Sequence, residues 1–281
     1  MNKLTTTKRT QIVTCLVEGM GIRATARVCD VTKGAVSKLL ADMGTICAAY
    51  HDEMVRNVPA KRVQVDEIWA FVYAKKKTTM KRPAILERNQ DAGDVWTFTA
   101  IEADSKLCIS WLVGDRTAAN AYAVMCDIRD RVTDRIQLST DQLAIYLRAV
   151  DQAFIATGVD YGMLHKIYKG GGDGRYSPAE CIGCERKPVI GDPDAKHIST
   201  SYVERSNLTM RMHMRRFTRL TNGHSKKAAM HAHAVALHFT YYNFCKIHES
   251  LRVTPAMAAG LTSRVLEIAD LVALLEQAEA A

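Results

Sequence analysis

Three acidic residues, Asp66, Asp141 and Glu204, stand where a carboxylate needs a reason. Asp66 and its neighbour Glu67 interrupt residues 62–72, a run of β-branched and aromatic residues that reads as a strand. Asp66 then shares a face with Ile68, Ala70 and Val72, and Glu67 shares the other with Val65, Trp69 and Phe71. Either placement is costly for a carboxylate without a partner, and an Arg or a metal ion would serve. Asp141 follows a short strand-like run, 135–140, where it can belong to a site or cap the next helix. Glu204 lies in the segment 197–217. At helical spacing Glu204, Asn207, Arg211 and Arg215 fall on one face, and Val203, Met210, Met214 and Phe217 form an apolar second face. One acid at the head of a cationic stripe suits a helix laid along a phosphate backbone. Ser201-x-x-Glu204 also spells a capping box, so Glu204 has two readings.

If the three acids converge, they repel. Two unit charges about 4 Å apart cost roughly 4 kcal/mol at an effective dielectric near 20. Such a cluster needs cations, and hard oxygen ligands suit Mg2+ or Mn2+. Two ions about 3.5–4 Å apart can activate an attacking hydroxyl and stabilise the leaving oxygen of a phosphodiester.

The elements that must position these acids are expected as follows. Residues 8–43 read as three short helices, the first ended by Gly19-Met-Gly21, the second over 23–29 and the third over 33–41. Asp30 falls where the turn asks for positive φ. This spacing predicts a helix-turn-helix over 1–50, with Lys33, Gly34, Ser37 and Lys38 outward on the recognition helix. A polar linker is expected over 44–60, its last stretch at 51–60. Strands over 62–72, 95–102 and 107–113 follow, the last two joined by a tight turn at 103–106, with a basic loop at 75–82. A helix over 118–132, the strand before Asp141, a helix over 143–157, an irregular Gly- and Pro-rich insertion at 168–198 and the basic helix complete the order. Residues 228–248 read as a largely buried helix holding His231, His233 and His238. Thr254-Pro255 marks a helix start, and 261–281 an acidic amphipathic helix. That succession predicts an α/β chain with a ribonuclease-H-like core over 61–260, a mixed sheet flanked by helices behind an all-α head.

The charge agrees with a nucleic-acid partner. The net charge is +8, and residues 201–227 carry seven Lys or Arg against one Glu. No run approaches eighteen apolar residues and the first residues lack a signal peptide's apolar centre, so a cytoplasmic protein without membrane contact is expected. The eight cysteines are scattered except Cys181-x-x-Cys184, half of a zinc site to which His197 is the remaining candidate ligand.

Val65-Asp-Glu-Ile-Trp69, Thr140-Asp141, the segment 197–211 and Tyr242-Asn-Phe-Cys-Lys-Ile-His-Glu-Ser-Leu-Arg-Val-Thr-Pro-Ala256 resemble the DDE transposases of bacterial insertion sequences, in particular the group related to insertion sequence one. The resemblance covers about residues 60–260. It implies that Asp66, Asp141 and Glu204 bind two Mg2+ or Mn2+ ions, and that water cuts DNA strands at the element ends. The freed 3′-hydroxyl then attacks target DNA. It further implies that Arg205, Asn207 and Arg211 help place DNA, and that a homo-oligomer works on double-stranded terminal repeats and target at the bacterial nucleoid. The family often has Gly after its second Asp, and this chain has Gln142. A non-cutting DNA-binding regulator or domesticated relative is the alternative, and a sequence-specific nuclease a third class.

Overall fold

The computed structural model describes residues 4–169, 180–218 and 221–280. It opens with α1 (Thr6–Val17), α2 (Ile22–Val28) and α3 (Lys33–Met54). Thr5 and Thr32 cap α1 and α3 by accepting hydrogen bonds from the Lys8 and Ala35 amides. Asp30, between α2 and α3, adopts φ +50°, as the turn demands. The third helix runs 22 residues and consumes most of the expected linker. Its small residues are contact points. A Cβ on Gly44 would stand 2.4 Å from that of His233, so only glycine permits this approach. Met43, Cys47 and His51 are buried at four-residue spacing, and Val55, Val58 and Ala60 beyond the helix are buried too.

The next elements are β1 (Arg62–Val72), α4 (Lys76–Lys81), α5 (Ala84–Arg88), β2 (Gly93–Glu102), β3 (Cys108–Gly114), α6 (Ala118–Arg131), β4 (Gln137–Asp141), α7 (Ile145–Ala153), β5 (Asp160–Tyr168) and β6 (Cys181–Ile190). The stretch expected as a basic loop, 75–82, thus holds the short helix α4. The strands form one mixed six-stranded sheet in the order β3-β2-β1-β4-β5-β6. β1 pairs antiparallel with β2 and parallel with β4, β5 runs parallel to β4, and β6 returns antiparallel along β5. This α/β architecture is compatible with a ribonuclease-H-like core. The irregular insertion is corrected in part. Residues 181–190 form an edge strand, where Pro188 loses no needed ladder bond and Gly183 does little harm. Gly170, Gly171, Gly172, Gly174 and Pro178 lie outside the described residues.

α8 (Ser201–His213), α9 (Ala228–Phe244), α10 (Pro255–Ala258) and α11 (Ile268–Ala280) complete the chain. Ile68, Ala70 and Val72 of β1 pack with Val203 and Met210 of α8 and with Val235 and Phe239 of α9. Val63 and Val65, on the opposite face, join Val124, Tyr146 and Val150 of α6 and α7 in a cluster that runs from Ile12 to Leu275. Each such side chain contributes about 1.5–3 kcal/mol when fully buried. α11 lies along α1, where Glu279 pairs with Arg9 at 3.1 Å, so the acidic C-terminal helix is an internal partner of the N-terminal one. Thr254 caps α10 ahead of Pro255 as its sequence implies. No described helix is long and apolar enough to cross a membrane.

Candidate metal centre

The β1–β4 ladder sets Gln64 opposite Ser139, and two residues further it brings Asp66 level with Asp141. β1 continues past this point while β4 ends, so acids from both faces of β1 can meet at the open end. Carboxylate oxygens of Asp66, Glu67 and Asp141 all lie within 4.8 Å of one another. Among the described residues this is the only group of three or more potential His, Cys, Asp or Glu ligands so close. Asp141 does not cap the next helix, whose N-cap is Ala144 without a side-chain bond; its Oδ1 instead accepts the Leu143 amide at 3.0 Å in the turn between them. Gln142 is absent from the residues with positive φ, so the turn asks nothing there that only glycine supplies.

Asp66 faces α8. Asn207 Nδ2 donates to its Oδ2 at 2.9 Å, and Thr99 Oγ1 donates to Asn207 Oδ1 at 3.3 Å. Burial pushes the Asp66 carboxyl up to about 6, the charges of Asp141 and Glu204 add to the rise, and the backbone amide of Glu67 and Asn207 oppose it. Glu67 faces α6 and α7, where burial pushes it up to about 7 against the pull of Tyr146 and of Arg116, 3.3 Å away. Tyr146 lies near enough to favour the ionised form, although its hydroxyl and Glu67 Oε1 fall outside hydrogen-bond geometry. The Arg expected for one of the two adjacent acids is therefore present, on Glu67.

The N-terminus of α8 is held by the strand rather than by its own sequence. Gln64 Oε1 accepts from the amides of Tyr202 and Val203 at 2.8 and 3.2 Å. The Ser201–Glu204 capping box does not form, because Thr200 is the N-cap and Glu204 lies a residue too far along. Gln64 shares the face of Asp66, so this cap fixes the helix that presents Glu204 and Asn207. Glu204 Oε1 instead accepts from Lys166 Nζ of β5 and from Thr200 Oγ1. Of the three expected ligands, then, Asp66 and Asp141 converge. Glu204 stands near enough to act on Asp66 electrostatically, but it is outside the tight group that Glu67 completes.

The expected cationic stripe is corrected. Asn207 is buried on Asp66 rather than turned to DNA, and α8 stops at His213, leaving Arg215 exposed on a separate 3-10 turn. Arg205 is exposed and Arg211 partly so. In the N-terminal head Lys33 and Lys38 are exposed and Ser37 is half-buried, with Lys38 paired to Asp42 at 2.6 Å. Cys181 and Cys184 lie exposed on β6 with sulfurs 4.0 Å apart, and no third ligand joins them among the described residues. His197 Nδ1 contacts Arg62 instead. His231 and His238 are core residues, as their spacing suggested.

Lys166, Gln64 and Arg116 were not legible as site residues. The signal for Lys166 was the 160–168 strand, which carries few turn residues. Its Gly162 admits Ile198, whose Cδ1 would be 2.5 Å from an added Cβ.

No protein-family model matches this chain, and no curated protein does. The likeness to DDE transposases rests on the motif residues alone.

Proposed function

We propose that this chain is a DNA transposase that cuts strands at the ends of an insertion sequence and transfers them into target DNA, with divalent metal as cofactor. The observation that carries the reading is the meeting of Asp66 and Asp141 from neighbouring strands, with carboxylate oxygens within 4.8 Å. The donor set fits Mg2+ or Mn2+, because it is carboxylate oxygen throughout and burial makes Asp66 resist ionisation until a cation faces it. Two such ions, when bound, supply an activated hydroxyl nucleophile and a stabilised leaving oxygen.

Asp66, oriented by Asn207, and Asp141, oriented by the Leu143 amide, are the fixed ligands. Glu204 is the third, reached from α8 in exchange for its pairing with Lys166. Glu67 stays with Arg116 and keeps the far side of β1 neutral. Lys33, Ser37, Lys38 and Arg215 contact DNA on the side of the N-terminal helices, and Arg205 and Arg211 hold DNA along α8. The working form is a homo-oligomer, because two ends have to be cut and joined together.

Incubating the full chain with Mg2+ or Mn2+ and end-labelled terminal DNA tests this. Cleavage followed by joining is expected. Cleavage without joining reduces the protein to a nuclease, and binding without cleavage in any metal overturns the enzymatic reading. The last result is what a non-cutting DNA-binding regulator would give. The observation favouring that second reading is that Glu204 is engaged by Lys166 and Thr200 rather than by the Asp66–Asp141 pair.

A further inference from the structure

Away from the acids, a cleft of about 1170 Å³ opens between the α2–α3 pair and residues 213–216 and 221–227. Its charge is of one sign. Arg23, Arg27, Lys33, Arg215, Lys226 and Lys227 line it, and no described Asp or Glu does. Arg216, in the same wall, is more telling. Its guanidinium donates to Ser225 Oγ at 3.0 Å, and burial with no carboxylate beside it pulls its pKa down to about 10. A buried cation without a counter-charge is costly, and an anion in the cleft would relieve it. The floor, by contrast, is apolar, with Leu16, Ile22, Met214, Met230 and Leu237.

We propose that this cleft binds a single strand of nucleic acid, with phosphates on the cationic rim and unpaired bases against the apolar floor. A duplex keeps its bases stacked inside and offers such a surface only phosphates, which leaves the floor wet. Unpaired bases can bury against apolar and planar side chains while the backbone follows the cations. The proposal rests on the DNA reading above and deepens it. It names the strand state held apart from the acidic cluster, and it gives Lys33 of the head and Arg215 of the core one shared ligand.

The test is fluorescence anisotropy of the full chain with a labelled strand of about 12 nucleotides, and with the same sequence as duplex, in EDTA. The single strand is expected to bind at least tenfold more tightly. A Lys226→Gln/Lys227→Gln double variant should weaken it at least tenfold and lower the log–log salt slope by roughly 1.4, about 0.7 per lost phosphate contact. Met230→Ser should weaken it several-fold with the salt slope unchanged, the signature of a base contact. Each variant is to be compared only if its thermal unfolding matches wild type. Equal affinity for duplex and strand, unchanged binding by the lysine variant, or equal competition by polyglutamate would each overturn the proposal. Because no metal is present, failure to cleave DNA elsewhere leaves this result standing, and loss of strand binding says nothing against the acids.

Discussion

The acidic cluster on β1 and β4 and the basic cleft differ in sign but share a deficiency, because neither holds enough counter-charge. Three carboxylates meet in the cluster with Arg116 facing one of them, while the cleft gathers seven Lys and Arg with no described acid in its lining. Three other arginines are matched locally. Arg131, nearly buried, reaches Asp127 at 2.8 Å, Asp52 at 2.7 Å and the Val55 carbonyl at 2.9 Å. Arg135 reaches Asp160 at 2.7 Å, and Arg264 reaches Asp270 at 2.9 Å. The contrast separates charge that serves the fold from charge that awaits a ligand. Removing the first should cost stability, and removing the second should cost function.

The largest effect belongs to the acidic cluster. Asp141→Asn and Glu204→Gln should each slow metal-dependent cleavage at least about a thousandfold, near 4 kcal/mol of barrier, while leaving thermal stability intact. Glu67→Gln should stay within about tenfold of wild type, since Arg116 already occupies that carboxylate. Rates for the three variants decide which acid is the third ligand. A reversed ranking would transfer that role from Glu204 to Glu67.

Next comes the matched network. Arg131→Met should lose about 1–3 kcal/mol in denaturant unfolding, because the Val55 carbonyl loses its donor while Asp52 keeps Arg56 and Asp127 keeps Ser110, with cleavage per folded molecule unchanged. A stable Arg131→Met protein would break the comparison from the structural side.

A smaller effect appears in the pH dependence. Burial holds His51 down to about 4, and His231 and His238 to about 3. Their unfolded forms take up protons below about 6.5, so the unfolded state binds more protons there and stability falls as pH drops from about 6.5 toward 4. Asp66 and Glu67 act in the opposite direction. Their folded values of about 6 and 7 mean that the folded state keeps protons which the unfolded chain releases above about 4. His213, His224 and His248 are lowered too, so the histidines outweigh the two acids and stability falls with acid between pH 6 and 5. In Asp66→Asn one opposing group is gone, and the slope should steepen by up to roughly one proton, about 1.4 kcal/mol per pH unit. Urea unfolding at several pH values measures both slopes, and equal slopes would contradict the burial of Asp66. The smallest expected effect is at the surface, where Arg264→Ala should leave both the unfolding midpoint and cleavage within error of wild type, because solvent screens its pair with Asp270.

How much of this could be read in advance follows from where each constraint acts. Asp66 and Asp141 were legible because a strand of apolar residues makes a carboxylate conspicuous. Asp30 was legible because turn geometry is local. The α3 helix beyond residue 41 was not, because Gly44 and its small neighbours look like linker composition until His233, far along the chain, fills the space. The cap on α8 escaped for the same reason. The donors belong to Tyr202 and Val203, but the acceptor is Gln64, on another strand. Asn207 was assigned to DNA from its place beside arginines, and its partner Asp66 lies in a different element. β6 was hidden because an edge strand tolerates the Gly and Pro that mark a loop elsewhere.

The central claim is that the acids exist to hold divalent cations, and binding measured without DNA tests it most directly. Calorimetric titration of Mn2+ into the wild-type chain at neutral pH should show saturable uptake of about two ions, lost in Asp66→Asn and in Asp141→Asn. Identical isotherms for wild type and Asp141→Asn would contradict the metal role of this cluster.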